Sequence, residues 1–412
     1  MTRHFPPGGG GGVQRPLKFA SHLPALGIET HVLAPDLSGD GPADAELELP
    51  TQAWIHRVRY VGPRGGRPSE RLLAKQGVAR LGTQAALFGR RLLVPDENVP
   101  WSTFALPVAI RLVRREGIDV VLTTSPPPSL HLLGGAVKKA TGAAWVADLR
   151  DPLGAHPHRR GYESQLARLK ETTVGGVARL VARQADAIVA ASDSIAEEIR
   201  ALEPKGKVVT IANGCDFDDF AGLEHHASDR LRITHAGHFH GKRDPKPFLR
   251  ALAESGLDDV VVRFAGGFRA ADREYAEALG LGDRVELLGD VSRRRSLELQ
   301  RDSDVLLLLI PESGGRGRGV LTGKIFEYLA AERPILAAVP PDGAAAQLVR
   351  DTGAGVVAPS DDVDALREAL LDLHRRWREG SLDGTPLTAE WRQRLSRGER
   401  IEELADLLRS VV

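Results

Sequence analysis

The chain has 412 residues, with 55 Lys plus Arg against 55 Asp plus Glu, so its formal net charge at neutral pH is zero. At roughly 150 residues per domain, this length predicts two or three domains and excludes a single small binding module. The balanced charge provides no overall positive field for nucleic acid or an anionic membrane. Any recognition of an anion must therefore come from a local group of cationic side chains.

Cysteine usage and hydropathy indicate a cytoplasmic setting. The only cysteine, Cys215, excludes an intramolecular disulfide framework and a metal site built from several cysteines. No basic segment followed by an apolar run and a cleavage site opens the chain, so the sequence does not predict export. The longest dense apolar run, Val305–Ile310, is far shorter than the roughly 20 residues that span a bilayer. We expect a cytoplasmic protein without a transmembrane anchor.

Helix and strand patterns alternate through the first half of the chain. A glycine run, Gly8–Gly12, is followed by an amphipathic stretch at Arg15–Leu26 that predicts the first helix. The remaining helices of this half are predicted near 106–116, up to 141, at 165–184 and up to 202, and the strands at 29–35, 55–60, 119–124, 144–149, 187–191 and 208–212. Such alternation is typical of a parallel, doubly wound sheet.

The same alternation restarts after a polar stretch, 213–230, which has the composition of a linker. Strands are predicted at 231–237, 260–266, 284–289, 305–310, 334–339 and 355–359, and helices at 247–254, between the third and fourth of these strands, at 323–331, from 363 to 377 and at 390–408. We therefore predict an α/β protein with two Rossmann-like, doubly wound domains that face a cleft, where strand-end loops bind ligands.

The glycine run precedes a helix, so bare backbone amides at Gly11 and Gly12 can meet an anion there. It is not a dinucleotide-binding fingerprint, because no strand leads into it and no acidic residue follows at the right distance. A flexible loop is the alternative for this segment.

Cationic side chains follow a predicted strand in the segment Gly237–Pro245. Lys242 and Arg243 are adjacent there, and such a pair on a strand-end loop can hold a diphosphate, with Arg as a planar fork and Lys as a point charge. A solvated basic turn is the alternative. The histidines of the segment, His235, His238 and His240, lack neighbouring carboxylate or cysteine ligands, so we predict no metal site.

A second basic loop contains Arg316 and Arg318 and leads to Lys324 and Glu327. It is not a Walker A loop, which needs Ser or Thr after the lysine, whereas Ile325 stands there. Lys324 and Glu327 share one helix face, so one can contact a phosphate while the other accepts hydrogen bonds from vicinal hydroxyls. A simple ion pair between the two is the alternative.

Carboxylates also end a strand of the first half. Asp148 and Asp151 are placed where a carboxylate can orient or deprotonate an acceptor. Asp151 precedes Pro152, so an Asp-Pro turn is the alternative role for that residue.

Taken in order, six segments resemble one family. They are the glycine-rich loop and helix start at 5–15, and the segments 148–151, 213–216, 237–245, 284–291 and 324–329. Together they resemble the GT-B glycosyltransferases of the retaining family 4 type, and the resemblance covers nearly the whole chain.

The resemblance implies that the two domains bind different substrates. Residues 1–212, with a C-terminal helix at about 388–412 packed back on them, would bind the acceptor, a small molecule or glycan. Residues 213–387 would bind a nucleotide-diphosphate sugar, and transfer would retain the anomeric configuration without a metal or resident cofactor.

The resemblance also implies roles for single residues. Lys242 or Arg243, together with Lys324, would hold the donor diphosphate, and Gly11 and Gly12 would approach it from the opposite domain. Glu327 would bind the ribose hydroxyls. Asp290 and Val291 would contact the base.

The sequence departs from the family at one position. The family usually has a first glutamate eight residues before the position of Glu327, and Gly319 stands there. Sugar contacts then differ, or Glu312 serves from a shifted loop. This departure suggests one alternative to transfer, a catalytically inactive scaffold that binds sugar nucleotides. A sugar-nucleotide 2-epimerase on the same architecture is a separate alternative.

Overall fold

The structure is a computed structural model, which describes residues 1–37, 47–63, 89–90, 92–153, 165–239, 242–314, 317–384 and 386–412. The chain divides into two compact units. The first contains the described residues up to Ala212 together with Ile401–Val412, and the second contains Asn213–Arg400. His240 and Arg316, which the sequence places in the two basic loops, lie outside the described residues.

The first unit alternates helices and parallel strands. Its described helices are α1 (Gly11–His22), α2 (Val99–Glu116), α3 (Ser129–Thr141), α4 (Gln165–Gln184) and α5 (Asp193–Arg200). Its strands are β1 (His31–Asp36), β2 (Trp54–Arg59), β3 (Val120–Ser125), β4 (Ala144–Leu149), β5 (Ala187–Ala190) and β6 (Lys207–Thr210). They form two parallel sheets, one of β1 and β2 and one in the order β3-β4-β5-β6.

Helices cover the sheets through apolar faces. In α4, Val174, Val177 and Val181 are buried and fall at helical spacing, together with Ala178 and Ala182. Burial of that apolar stripe, rather than helix propensity, supplies most of the stability of such a helix. Among the described helices of both units, none combines the length and hydropathy that crossing a membrane requires.

The described residues of the second unit form a single six-stranded sheet. Its strands are β7 (Leu231–Ala236), β8 (Val260–Ala265), β9 (Val285–Gly289), β10 (Val305–Leu309), β11 (Ile335–Ala338) and β12 (Gly355–Ala358). Its helices are α6 (Lys246–Glu254), α7 (Ala270–Ala278), α8 (Arg293–Arg301), α9 (Gly323–Ala330), α10 (Ala344–Asp351), α11 (Val363–Arg378) and α12 (Ala389–Leu395). All neighbouring strands are parallel, in the order β12-β11-β10-β7-β8-β9.

This strand order indicates at which end of the second sheet a ligand is expected to bind. The order reverses between β7 and β10, and in open parallel sheets ligands bind beyond the carboxyl ends of the strands at such a switch point. All five residues of β10, Val305–Leu309, are buried, because helices cover both faces of the sheet there. A rigid, apolar strand therefore supports the loops on either side of the switch point.

The end of the chain differs from the prediction of one final helix over 390–408. Two helices, α12 and α13 (Arg397–Arg409), are separated at Ser396, whose backbone is extended at φ −58° and ψ 133°. Cys215 forms a bridge to Ser396, and its N–H donates to the carbonyl of Leu395 at 2.6 Å. These contacts hold α12 with the second unit, whereas Ile401–Val412 belongs to the first. The single-helix prediction is wrong because helical periodicity continues across the break.

Candidate active site

The candidate site lies at the carboxyl ends of β7, β8 and β10 in the second unit. Backbone glycines make its floor, since Gly237 follows β7 and Gly266 and Gly267 follow β8. A Cβ atom added to Gly266 would lie 2.7 Å from the carbonyl carbon of Gly237. The two strand ends are thus in direct backbone contact, which only glycine permits.

The side chain of Lys324, from the start of α9, crosses this glycine floor. A Cβ atom on Gly237 would lie 2.2 Å from Cε and 2.5 Å from Nζ of Lys324. Gly237 also has a φ of 136°, which L side chains rarely adopt. The backbone at Gly237 therefore fixes where the ammonium group lies, namely directly over the carboxyl end of β7.

The electrostatic surroundings of Lys324 disfavour its charged form. Burial, followed by repulsion from Arg243, lowers the pKa of Lys324 to about 7, although Glu327 opposes the shift. Within the described part of the chain, no carboxylate lies within ion-pair distance of Lys324 or Arg243. Such a pair of cations, held together without a counter-ion, is suited to binding a dianion.

Arg243 is buried and joins the two strands that flank the switch point. Its Nε donates to the carbonyl of Leu309 at the end of β10, and its Nη1 donates to the carbonyl of His238 after β7, both at 3.1 Å. Burial lowers the pKa of its guanidinium. The neighbouring Lys242 lies half-buried in the turn. The structure thus brings Arg243 and Lys324 together, with Arg243 held by backbone carbonyls rather than extended into solvent.

The described histidines of this segment differ in their surroundings. His235 is fully buried, its Nδ1 lies 2.8 Å from the Leu307 carbonyl, and its ring packs on Phe239 at 4.8 Å. Burial and the nearby Lys324 hold its pKa well below the usual range, so His235 is a neutral core residue. His238 is more than half exposed, and its Nε2 lies 2.8 Å from Oδ1 of Asp290.

Glu327 has partners that the sequence did not reveal. Its Oε1 accepts a hydrogen bond from Nη1 of Arg293 at 2.8 Å, and its Oε2 accepts one from Nε2 of Gln300 at 3.3 Å. Arg293 also donates to Asp219 at 2.7 Å. Burial alone would lower the pKa of Arg293, but the two carboxylates outweigh it and raise the pKa above the usual range.

These contacts exclude the ion-pair alternative for Lys324 and Glu327. No ion pair joins the two side chains, although both belong to the described residues, because Arg293 holds the Glu327 carboxylate instead. Arg293 and Gln300 both lie on α8, which begins just after the Asp290–Val291 loop. In the sequence, only the polar start of α8 points to Arg293 and Gln300, and many solvent-exposed helices begin with polar residues.

In the basic loop before α9, carboxylates compensate the charge of Arg318. Arg318 is more than half exposed, and its Nε lies 3.2 Å from Asp342 and 3.5 Å from Glu312. Its charge is therefore compensated on the surface. Gly319 follows it, half-buried, and Glu312 faces Arg318. This geometry does not support the inclusion of Arg318 in a cationic group with Arg243 and Lys324.

Asp148 in the first unit is a buried ion-pair partner. It is fully buried on β4, and Nη2 of Arg15 lies 2.8 Å from its Oδ1. Its Oδ2 accepts a hydrogen bond from the Thr124 hydroxyl at 2.6 Å. Arg15 also donates to the carbonyls of Ile211 and Ala212. This geometry does not fit a base that meets an acceptor, because the carboxylate is enclosed, so Asp148 ties α1 to the sheet.

The other predicted residues of the first unit lie near the carboxyl ends of its strands. Asp151 is half-buried in the turn after β4. The neighbouring Arg150 donates from Nη1 to the carbonyl of Gly12 at 2.6 Å and from Nε to the carbonyl of Ser125 at 2.7 Å. Gly11 and Gly12 form the first residues of α1, and both are partly or fully exposed. Arg150, which sequence reasoning missed, thus connects the glycine-rich loop to the end of β3.

Comparison with models of protein families identifies the family of this chain. A model of glycosyltransferase family 4 matches residues 9–219, which is more than half of the 412 residues. This chain belongs to glycosyltransferase family 4. A model of glycosyl transferases group 1 matches residues 230–376. The chain is therefore a glycosyltransferase that takes its sugar from a nucleotide sugar, and the resemblance inferred from the six motifs is confirmed.

Solved structures confirm the fold class of this glycosyltransferase. Anabaena HepE in complex with UDP has a TM-score of 0.65 at 14% identity, covering 99% of this chain and 98% of its own. A glycosyltransferase from Rickettsia africae has a TM-score of 0.64 at 12% identity, covering 100% and 97%. Sucrose-phosphate synthase from Thermosynechococcus elongatus has a TM-score of 0.60 at 16% identity, covering 96% and 89%. A comparison with curated protein sequences gives no significant match.

The glycine floor of this glycosyltransferase gives a first testable prediction. We expect Gly237→Ala to displace the Lys324 ammonium, because the new Cβ would lie only 2.2 Å from Cε and 2.5 Å from Nζ. Donor affinity should fall at least tenfold, which corresponds to the loss of about one charged hydrogen bond. The strained backbone should lower the free energy of unfolding by about 1–3 kcal/mol. Isothermal titration calorimetry with the nucleotide and thermal unfolding measure the two effects.

Gly256→Ala is the matched control. Gly256 also has a positive φ, 69°, but a Cβ there meets nothing within 4 Å. This variant should lose stability to a similar degree and retain donor affinity. Equal affinities for the two variants would contradict the positioning of Lys324 by Gly237.

Proposed function

We propose that the second unit binds a nucleotide-diphosphate sugar and that the first unit binds the acceptor, with retention of the anomeric configuration and without a metal. The observation that carries the donor assignment is the position of Lys324 over Gly237, next to Arg243 and without a carboxylate partner among the described residues. A diphosphate supplies the negative charge that this cationic pair lacks.

The proposed chemistry rests on charge that develops during transfer. As the bond between the sugar and the diphosphate breaks, negative charge accumulates on the leaving phosphate oxygen. Lys324, Arg243 and Lys242 would stabilise that charge. Because the fold already holds Lys324 and Arg243 in place, these two groups need no reorganisation during transfer. Cationic side chains then perform the task that a divalent metal performs in other phosphate sites.

Glu327 would bind the ribose of the donor. Arg293 and Gln300 fix the orientation of its carboxylate, and a carboxylate has about four lone-pair sites, so acceptor capacity remains for the two ribose hydroxyls. Asp290 and Val291, beyond the end of β9, would contact the base. The His238–Asp290 pair would then restrain the loop at the base.

The acceptor would be bound by the first unit. Asp151 remains the candidate to orient or deprotonate the acceptor hydroxyl, because it is partly exposed at the carboxyl end of β4, whereas Asp148 is enclosed by Arg15. Gly11 and Gly12, at the N-terminus of α1, are candidates for contact with an anionic group of either substrate.

A thermal-shift panel of UDP, GDP, dTDP and ADP tests the donor site. Anabaena HepE is described in complex with UDP, which makes UDP the first candidate. A bound nucleotide at about 100 times its Kd stabilises the fold by about 2.7 kcal/mol. We expect one nucleotide to raise the Tm clearly more than the others, and no shift with any of the four would overturn the proposal.

Mass balance separates transfer from epimerisation on the same architecture. Transfer releases free nucleoside diphosphate only when an acceptor is present, whereas epimerisation leaves the sugar attached to the nucleotide. Release that depends on the acceptor, with the product anomer identified by NMR, supports the proposal. A new nucleotide-linked sugar formed without an acceptor would contradict it.

The pKa of Lys324 predicts how donor affinity depends on pH. With a pKa of about 7, Lys324 is charged below that pH and loses its proton above it, and only the charged form attracts a diphosphate. Affinity should be constant below pH 7 and should then fall by up to about tenfold per pH unit, until the pH passes the higher pKa of the complex. Calorimetry with UDP-glucose measures this, because its diphosphate does not titrate near neutral pH.

Lys324→Met serves as the control for the pH profile. Without the titrating amine, affinity should be weak and nearly independent of pH above neutrality. A wild-type profile that stays flat between about pH 6 and pH 9 would show that the pKa of Lys324 is not lowered toward 7, and wild-type affinity in Lys324→Met would show that Lys324 does not supply the charge.

A further inference from the structure

Arg150, directly after β4, has a charge that no carboxylate compensates by direct contact in the described part of the chain. The nearby Asp148 pairs with Arg15 instead, at 2.8 Å. Burial, together with repulsion from Arg15, lowers the pKa of the Arg150 guanidinium, although Asp148 and Asp151 oppose the shift. A cation in such surroundings is stabilised by an anionic ligand.

One nitrogen of Arg150 also lacks a hydrogen-bond partner. Its Nε donates to the carbonyl of Ser125 at 2.7 Å and its Nη1 to the carbonyl of Gly12 at 2.6 Å, whereas Nη2 is buried and unpaired. Because the guanidinium is rigid and planar, these two bonds fix Nη2 beside the end of β3 and the start of α1. A buried donor without a partner costs free energy, and a ligand that accepts a hydrogen bond from it removes that cost.

The first turn of α1 presents further donors next to this nitrogen. The N–H groups of Gly11 and Gly12 have no partner among the described residues, and no acidic side chain lies in that turn. The residue before the helix is Gly10, which has no side chain to cap these amides. The positive end of the helix dipole adds to their attraction for an anion. Since Arg150 bonds Gly12 directly, its Nη2 and the start of α1 lie at the same place.

Two uncharged polar side chains belong to the same region. Gln14, in the first turn of α1, is only 7% exposed, and its Oε1 has no hydrogen-bond partner. The ring of His4 packs against Gly12, since a Cβ added to Gly12 would lie 3.3 Å from Cγ of His4. Burial, followed by repulsion from Arg150 and Arg3, lowers the pKa of His4 to about 3, so its ring is neutral and can donate one hydrogen bond and accept another. A sugar phosphate matches this set, because its hydroxyls suit the neutral groups and its phosphate suits the cationic ones.

We propose that Nη2 of Arg150 and the amides of Gly11 and Gly12 bind a phosphate group of the acceptor, so that the acceptor is a phosphorylated sugar or another phosphate ester. This inference rests on the proposed function and narrows the acceptor to an anionic class. Asp151, the candidate to orient or deprotonate the acceptor hydroxyl, is the next residue in the chain, so neighbouring residues serve the phosphate and the hydroxyl of one small acceptor. The donor diphosphate is the other source of phosphate, and the experiment separates the two.

NMR of isotope-labelled histidines in the full-length protein tests the proposal. The ring signal of His4 is assigned by its loss in His4→Gln. Inorganic phosphate is titrated as the probe, while the nucleoside diphosphate selected by the thermal-shift panel saturates the donor site. We expect the His4 signal to move with the phosphate concentration, and Arg150→Gln to raise the resulting Kd at least about tenfold, the scale of one lost charge-assisted hydrogen bond.

Arg114→Gln is the matched control. Arg114 also donates to a backbone carbonyl of the first unit, that of Ala140 at 2.9 Å, but this contact is exposed. Its substitution should leave the Kd for phosphate within about twofold of the wild-type value, because an exposed, hydrated cation has no buried donor to satisfy.

A second variant leaves Arg150 and its bonds in place. Gly11→Glu puts a carboxylate at the start of α1, where an added Cβ meets nothing within 4 Å. It should bind phosphate at least about tenfold more weakly than the uncharged Gly11→Gln, because the carboxylate occupies the anion site. Its Tm should be unchanged or higher, since an acidic side chain stabilises a helix N-terminus. Equal Kd values for these two variants would overturn the proposal.

The response to the nucleotide separates this inference from the proposed function. A His4 signal that moves with the nucleoside diphosphate alone, and then no longer responds to phosphate, would overturn the acceptor assignment and give the site to the donor. A His4 signal that does not respond to phosphate, while the nucleotide still raises the Tm, would overturn the phosphate site and leave the donor proposal intact. A phosphate response without any nucleotide response would support the phosphate site and contradict the donor proposal.

Discussion

Lys324→Met should lower kcat by about 10²- to 10³-fold, the scale for removing one preorganised group that stabilises a developing negative charge. The structure explains why this residue matters, because its ammonium is held over the Gly237 backbone without a carboxylate partner among the described residues. The fold should survive, since methionine removes a partly buried charge and keeps most of the side-chain volume. Steady-state kinetics with the nucleotide sugar selected by the thermal-shift panel measures the effect.

Lys246→Met is the matched control for this variant. Lys246 also begins a helix of the second unit, but its Nζ lies over the ring of Tyr275 at 5.6 Å from the ring centre. This substitution should leave kcat within a factor of about two, because such a cation–π contact contributes only about 0.5–1 kcal/mol to stability. Wild-type turnover by Lys324→Met would contradict the assignment of the donor diphosphate to this site.

Asp148→Ala should destabilise the first unit by about 3–5 kcal/mol, the usual cost of removing one partner from a buried ion pair. The loss arises because Arg15, only 2% exposed, would remain charged without its carboxylate. Urea unfolding followed by tryptophan fluorescence measures it, since Trp101 and Trp145 are fully buried in this unit. The double variant Arg15→Met, Asp148→Leu should recover most of the stability, because no unpaired charge remains.

An exposed pair provides the comparison. Asp406 pairs with Arg409 on α13, and its side chain is 79% exposed. Asp406→Ala should therefore cause a loss several-fold smaller than that of Asp148→Ala, since water screens such pairs. Activity lost in Asp148→Ala without any loss of stability would favour the original catalytic interpretation of Asp148 over the structural one.

Local patterns were sufficient to predict most elements of the fold. The helix predicted at 165–184 is α4, Gln165–Gln184, and the strands predicted in the second half lie within about a residue of β7–β12. These elements are buried on defined faces, so their periodicity is visible in the sequence. The helix from Leu106 instead begins at Val99, because its first turn contains Pro100 and polar residues that interrupt the periodic pattern.

The candidate site was predictable only in part. Lys324 and Arg243 stand in motifs on strand-end loops, so their convergence follows from the topology of a parallel sheet. The partners of Glu327, in contrast, come from α8, which is 27 residues away at Gln300 and 34 at Arg293. No local pattern specifies such a contact. The same reason explains why Asp148 was assigned to the acceptor, since its partner Arg15 is 133 residues away.

The balanced charge of this chain provides no overall positive field, so anion binding requires a local group of cationic side chains. The sequence alone determined the family, the fold class and the loops that contain those side chains. Only the tertiary structure decided which of those residues keep an uncompensated charge. Arg318 is neutralised by Asp342 and Glu312, whereas Lys324 and Arg243 repel each other near the switch point of the second sheet and have no carboxylate partner among the described residues. Charge compensation depends on distances between residues far apart in the chain, and those distances are fixed by packing.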